Sequence, residues 1–257
     1  MGRPKHHDPA FFIGSEIAAA TGMAQRNLQM LRDKRIGPFA KQDQEGGLYS
    51  EDTVAEIAMI AGCAGAGYSL TLAAALTKAF LDDNRNHPAA RWCFVDYFDR
   101  SFVFESSGWF HQYCKVARKA GSDMTERHDQ DSVLMVADRQ WVLRGTVGKP
   151  RLGMASQPGV DPYGPTPLGR MDDLKRGHDP HFTPFWEFVS GPPPKTEDEI
   201  GAHMEKYRLI EIDFQTAARS AVALATVNMS LSIRRTFARI VALRQAKGGP
   251  FWPEGAA

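Results

Sequence analysis

Residues 12–80 constrain this chain more than any other stretch, because their local signals come in a fixed order. Ile13, Ile17 and Ala20 recur at the spacing of one helix face, which predicts a short helix over Gly14–Thr21. Thr21-Gly22 ends it, and Gly22 stands where a sharp turn calls for positive φ. A second helix is expected over residues 23–35, with Leu28 and Leu31 inward and Gln25, Arg26, Gln29, Arg32 and Lys34 outward. The polar, Gly/Pro-containing residues 37–47 read as a hairpin-like wing closing on Leu48-Tyr49. A third helix opens at Ser50 with Glu51-Asp52, and a fourth follows Gly67-Tyr68-Ser69-Leu70.

Helix, tight turn, helix, wing and helix pair is the order of a winged helix-turn-helix, which lays one helix in a DNA groove. Arg and Gln can pair with guanine and adenine edges, while Lys and Arg meet phosphates. Between residues 1 and 41 the cations Arg3, Lys5, Arg26, Arg32, Lys34, Arg35 and Lys41 outnumber the acids Asp8, Glu16 and Asp33. The chain as a whole has a formal net charge of only +1, so this excess is local.

Ile13-Gly14-Ser15-Glu16-Ile17-Ala18, Thr21-Gly22-Met23 and Arg26-Asn27-Leu28 are followed by Leu48-Tyr49-Ser50-Glu51-Asp52 and Ala66-Gly67-Tyr68-Ser69-Leu70. In this order and spacing, over about a quarter of the chain, the sequence resembles the MerR family of transcriptional regulators. The resemblance implies a homodimer on a two-fold promoter operator, with the recognition helix in the major groove, the wing along the minor groove, and twisted or bent DNA. The residues expected to meet DNA are Arg3, Lys5, Ser15, Gln25, Arg26, Asn27, Gln29, Arg32, Lys34, Lys41 and Tyr49. RNA polymerase and a small-molecule effector are further partners for which the resemblance leaves room. Three departures stand out. Gln29 and Gly47 occupy positions where the family carries arginine, and Met30-Leu31 replaces its aromatic pair. Lys41 and the Arg3/Lys5 arm are available to supply the lost charge.

Composition limits the alternatives. No apolar run approaches the roughly 20 residues of a membrane-spanning helix, and no basic-then-apolar leader is evident. Cys63, Cys93 and Cys114 have no CxxC spacing, and three is an odd, sparse number. That argues for a reducing, cytoplasmic setting, and the family resemblance implies a bacterial one.

The expected division is an all-helical winged helix-turn-helix domain over residues 1–86, a mixed α+β effector and dimerisation domain over 87–247 that ends in a long helix, and a tail over 248–257. Asp82-Asp83-Asn84-Arg85-Asn86-His87-Pro88 reads as the linker. Residues 91–114 are dense in aromatics, suited to core or to a ligand pocket, with core preferred. Residues 132–147 read as a hairpin turning at Ala137-Asp138-Arg139-Gln140. Residues 148–181 are Gly/Pro-rich and read as a long loop, and 182–189 as a strand. Gly191-Pro192-Pro193-Pro194 is a stiff spacer before a capping box at Thr196 and Glu199, which starts a short helix to about Tyr207. Leu209–Phe214 looks like a strand, and residues 216–246 like one long helix. The stripe Val222, Thr226, Met229, Ile233, Phe237, Ile240 and Arg244 runs along that helix. Val222, Met229, Ile233, Phe237 and Ile240 are the expected dimerisation face; burial of this face within one subunit, against residues 209–214, is the competing reading.

Signals for an enzyme are weak. His111 and Cys114 are one helical turn apart, with Cys93 or His128 as conceivable companions, but zinc needs four ligands in recognised spacings. His178-Asp179-Pro180-His181 lies in the Gly/Pro-rich loop. No GxxxxGK[ST], GxSxG or HExxH occurs, and the glycines over 62–67 have no strand before them. No catalytic residue, metal or cofactor is expected. The expectation is a sequence-specific DNA-binding transcriptional regulator, with or without ligand sensing. The alternative is an architectural or mobile-element protein that organises DNA without an effector.

Overall fold

The computed structural model describes residues 11–40, 48–86, 110, 113, 125–127, 129, 131–148, 159–161, 164–176 and 195–248. They form a mixture of helices and two antiparallel sheets, as expected of an α+β chain. No described helix is long and apolar enough to cross a membrane.

The first elements follow the sequence signals closely. Strand β1 (Phe12–Ile13) runs into helix α1 (Gly14–Thr21), and Gly22 ends that helix at φ 72°, the left-handed conformation the turn required. Thr21 secures the corner. Its Oγ1 donates to the Ile17 carbonyl at 2.7 Å and accepts from the Met23 N–H at 3.3 Å. Helix α2 (Gln25–Asp33) follows, then a 3-10 turn (Gly37–Phe39) and strand β2 (Leu48–Tyr49), antiparallel to β1, so this part of the chain is not all-helical as expected. Ser50 caps helix α3 (Glu51–Gly65), its Oγ accepting from the Thr53 N–H. Helix α4 (Leu70–Asn86) takes in residues 82–86 of the polar segment that reads as linker in the sequence.

Strand β3 (Ser132–Ala137) and strand β4 (Trp141–Thr146) form the expected hairpin. Asp138 and Arg139 take φ 49° and 57°, the successive left-handed residues that suit a tight hairpin turn. Residues 166–176 of the supposed long loop are a strand and a helix: strand β5 (Thr166–Arg170) pairs with β4, and helix α5 (Met171–Arg176) follows directly. Pro167 is tolerated because β5 is an edge strand.

Two sequence expectations are corrected in the last third. Leu209–Phe214 is not a strand; it belongs to helix α6 (Glu197–Ser220), which the Thr196/Glu199 capping box opens as expected. Residues 216–246 are not one helix. Helix α6 ends at Ser220, strand β6 (Leu224–Asn228) pairs with β3, and helix α7 (Met229–Ala246) follows. The second sheet therefore has the order β5-β4-β3-β6.

The chain divides into two compact units, and the division differs from the expected cut after residue 86. One unit takes in the elements from β1 to α3, the start of α4 to Thr77, and the C-terminal α7; the other holds β3 to β6 with α5 and α6. In the first unit, α7 packs on α1 and α3. Ile17, Ala20, Val54, Ile57, Ile233 and Phe237 are buried there. Phe110 continues this core, edge-on to Phe12 and to Phe237 with centroids 5.1 and 5.2 Å apart. Tyr113 is also buried, in line with a core role for the described part of the aromatic segment. In the second unit, α6 packs on the sheet through Phe214, which meets Trp141 edge-on at 4.8 Å and lies with Ala137 and Leu143.

Candidate nucleic-acid interface

Helix α2 is the element on which the candidate residues converge. Leu28 and Leu31 are buried on one side. Gln25, Arg26, Gln29, Arg32, Lys34 and Arg35 are exposed on the rest of the helix and its C-terminal turn, and Asn27 is half-buried. Among the described residues, no carboxylate pairs with Arg26, Arg32 or Lys34, so their charge faces solvent. Arg32 lies in the last helical turn, where a cation complements the partial negative charge of the helix end.

Asp33 is the exception on this face. It sits one turn after Gln29, and the Gln29 Nε2–H donates to Asp33 Oδ1 at 2.6 Å. Arg35 has φ 51° and turns the chain toward Gly37, at φ 64°. A Cβ on Gly37 would stand 3.0 Å from Ile60 Cδ1, so space and backbone conformation both select glycine there.

The remaining candidates scatter. Ser15 is exposed in the first turn of α1. Tyr49 is buried, its ring edge-on to Phe39 at 5.9 Å and beside Gly14, so it serves the core of its unit rather than an outer face. Arg3, Lys5, Lys41 and Gly47 lie outside the described residues, as do His111, Cys114, His178 and His181.

The residues expected to dimerise are divided. Val222 is 97% exposed and is not on a helix at all. Met229, Ile233, Phe237 and Ile240 are all 0% exposed on α7, which packs on α1 and α3. Those four side chains are therefore covered within one chain, where α7 packs on α1 and α3.

Helix α7 also supplies what the sequence reading missed. Arg244 Nε meets Glu16 Oε1 at 2.6 Å and Nη2 meets Oε2 at 3.1 Å, while Nη2 also donates to the Phe11 carbonyl. Its guanidinium lies 4.6 Å from the Phe12 ring centroid. Arg239 donates to the Ala20 carbonyl near the end of α1. Together they anchor both ends of the helix that precedes α2. The signal was present: an arginine at the end of an apolar stripe calls for a carboxylate on the surface that the stripe covers.

No group of side chains suited to a metal is found among the described residues. Cys63 is buried, and burial pushes its thiol up to about 12, against a smaller lowering by the Thr77 hydroxyl. Such a thiol is neutral and inert at ordinary pH. No protein-family model, no curated protein and no solved structure matches the chain.

Proposed function

We propose that this chain is a sequence-specific transcriptional regulator that binds double-stranded DNA, with a MerR-like winged helix-turn-helix in its first unit. Helix α2 enters the major groove in this reading. The observation that carries it is the sidedness of α2: Leu28 and Leu31 are buried, while Arg26, Gln29, Arg32 and Lys34 are exposed. Solvated cations meet phosphates, and exposed Arg and Gln side chains are suited to reading base edges. The three-residue corner between α1 and α2, locked by Thr21 and Gly22, gives support as a compact helix-turn-helix joint. Action as a homodimer belongs to the same proposal, because a two-fold operator calls for a two-fold protein. With the α7 stripe already buried, the interface of that dimer lies on other residues.

The test is selection of duplexes from a randomised library by the full-length protein, followed by a salt series on the enriched sequence. A recurrent motif bound with steep salt dependence supports the reading. Recovery of no motif, with no binding of duplex DNA at low salt, overturns it.

A further inference from the structure

Gln29 and Asp33 are hydrogen-bonded on the exposed face of α2, and their chemistry goes further than the charge of that face. The Gln29 amide has one oxygen and one nitrogen end, and only the nitrogen can donate to a carboxylate. The 2.6 Å contact with Asp33 Oδ1 therefore fixes which way the amide faces. One Nε2–H is committed to Asp33, while the second Nε2–H and the Oε1 acceptor remain available. That donor and acceptor match the N7 acceptor and N6 donor of adenine in the major groove.

Asp33 has no local reason to be where it is. A carboxylate in the last turn of a helix opposes the helix dipole, and a carboxylate among Arg26, Arg32, Lys34 and Arg35 diminishes attraction to phosphates. A role in holding Gln29 gives the position a purpose.

We propose that Gln29 reads an adenine in the DNA target and that Asp33 is its positioning residue, orienting the amide before DNA arrives. This rests on the DNA-binding reading above and deepens it by naming one base and the residue that selects it. An arginine at this position would favour guanine instead, so the identity of residue 29 selects the base.

The experiment repeats the duplex selection with the full-length protein and four variants, each checked for native circular dichroism. The wild type is expected to select a position where A·T is preferred by tenfold or more. Gln29→Ala should flatten that one position and leave the rest of the motif. Gln29→Arg should move the same position toward G·C. The two Asp33 variants separate positioning from charge. Both Asp33→Ala and Asp33→Asn remove a negative charge and should raise affinity for all duplexes alike. Only Asp33→Asn retains an oxygen acceptor for Gln29, so it should keep the adenine preference, while Asp33→Ala weakens it severalfold. A wild-type motif that Gln29→Ala leaves unchanged at every position overturns this assignment and leaves DNA binding standing. Equal base preferences in Asp33→Ala and wild type overturn the positioning role alone. Failure of the wild type to bind any duplex overturns the function itself.

Discussion

Arg244 and Glu16, separated by 228 residues of chain, meet in a two-point ion pair in which both side chains are about one-tenth exposed. The pair joins the last turn of α7 to the first turn of α1. Removing one partner strands the other in a site nearly closed to water, which is far costlier than losing a surface pair. Arg244→Ala and Glu16→Ala should each lower unfolding free energy by roughly 3 kcal/mol, and the double variant should cost much less than their sum. Urea denaturation of the four proteins measures the coupling. Simple additivity would show the pair to be energetically idle.

Phe237 is fully buried in the first unit, its ring against those of Phe110 and Tyr113. Phe237→Ala should cost about 3–5 kcal/mol. Ile233→Asp with Phe237→Asp should give an unfolded or aggregated chain, because both side chains are fully buried within one subunit. Light scattering with circular dichroism reads the outcome. A folded, soluble monomer would mean that this face is covered by a second copy instead.

Gly22 and Gly37 both have positive φ but differ in surroundings. A Cβ on Gly22 meets nothing within 4 Å, whereas one on Gly37 approaches Ile60. Gly22→Ala should therefore cost about 1 kcal/mol from backbone conformation alone. Gly37→Ala should cost more, up to about 3 kcal/mol. Equal melting temperatures for the two variants would contradict the crowding at Gly37.

Cys63 carries a pH dependence whose sign is fixed by its burial. The folded protein holds the thiol protonated to about 12, against an ordinary value of 9.0. The unfolded chain ionises first, so the stability contributed by the neutral thiol is complete below pH 9 and is lost as pH rises toward 12. Iodoacetamide at pH 8 should leave the Cys63 peptide unlabelled in the native protein and label it in denaturant. Equal labelling in both conditions, read by mass spectrometry, would show that the site opens readily.

Arg26 tests the DNA face by a route independent of base preference. If it meets a phosphate, Arg26→Ala should weaken binding to all duplexes and reduce the salt slope by about one unit. If it reads a base, the slope should hold while discrimination falls. An unchanged affinity and an unchanged slope would remove Arg26 from the interface.

The early elements were legible because their ends carry strong local chemistry. Gly22 could only be a turn, Ser50 with Glu51 and Asp52 could only open a helix, and Thr196 with Glu199 formed the reciprocal cap the spacing announced. The errors fell where local pattern was ambiguous. Leu209–Phe214 alternates like a strand, yet Ile210, Phe214 and Ala218 also recur at helical spacing, and the packing of that stripe on Trp141 and Leu143 decides for the helix. Val222 to Met229 keeps a helical spacing that is incidental. Residues 224–228 become a strand because the open edge of β3 offers a hydrogen-bonding ladder, and no signal near them announces it. Of the candidate interface, the outward charges of α2 were readable from the burial of Leu28 and Leu31, but the Gln29–Asp33 contact was not, because an acid one turn after an amide looks the same whether or not they bond.

The place of α7 in the first unit has a consequence for how the chain is made. Its apolar face is the surface that α1 and α3 require, and it is translated after roughly 200 further residues have followed α1. At about 5–20 residues per second, Ile17 and Ile57 leave the ribosome some 10–40 s before Ile233 and Phe237 exist to cover them. The nascent amino-terminal segment spends that interval with its adhesive side bare. Shielding of that side by a chaperone should raise the yield of folded protein, and a pause that prolongs the interval should lower it.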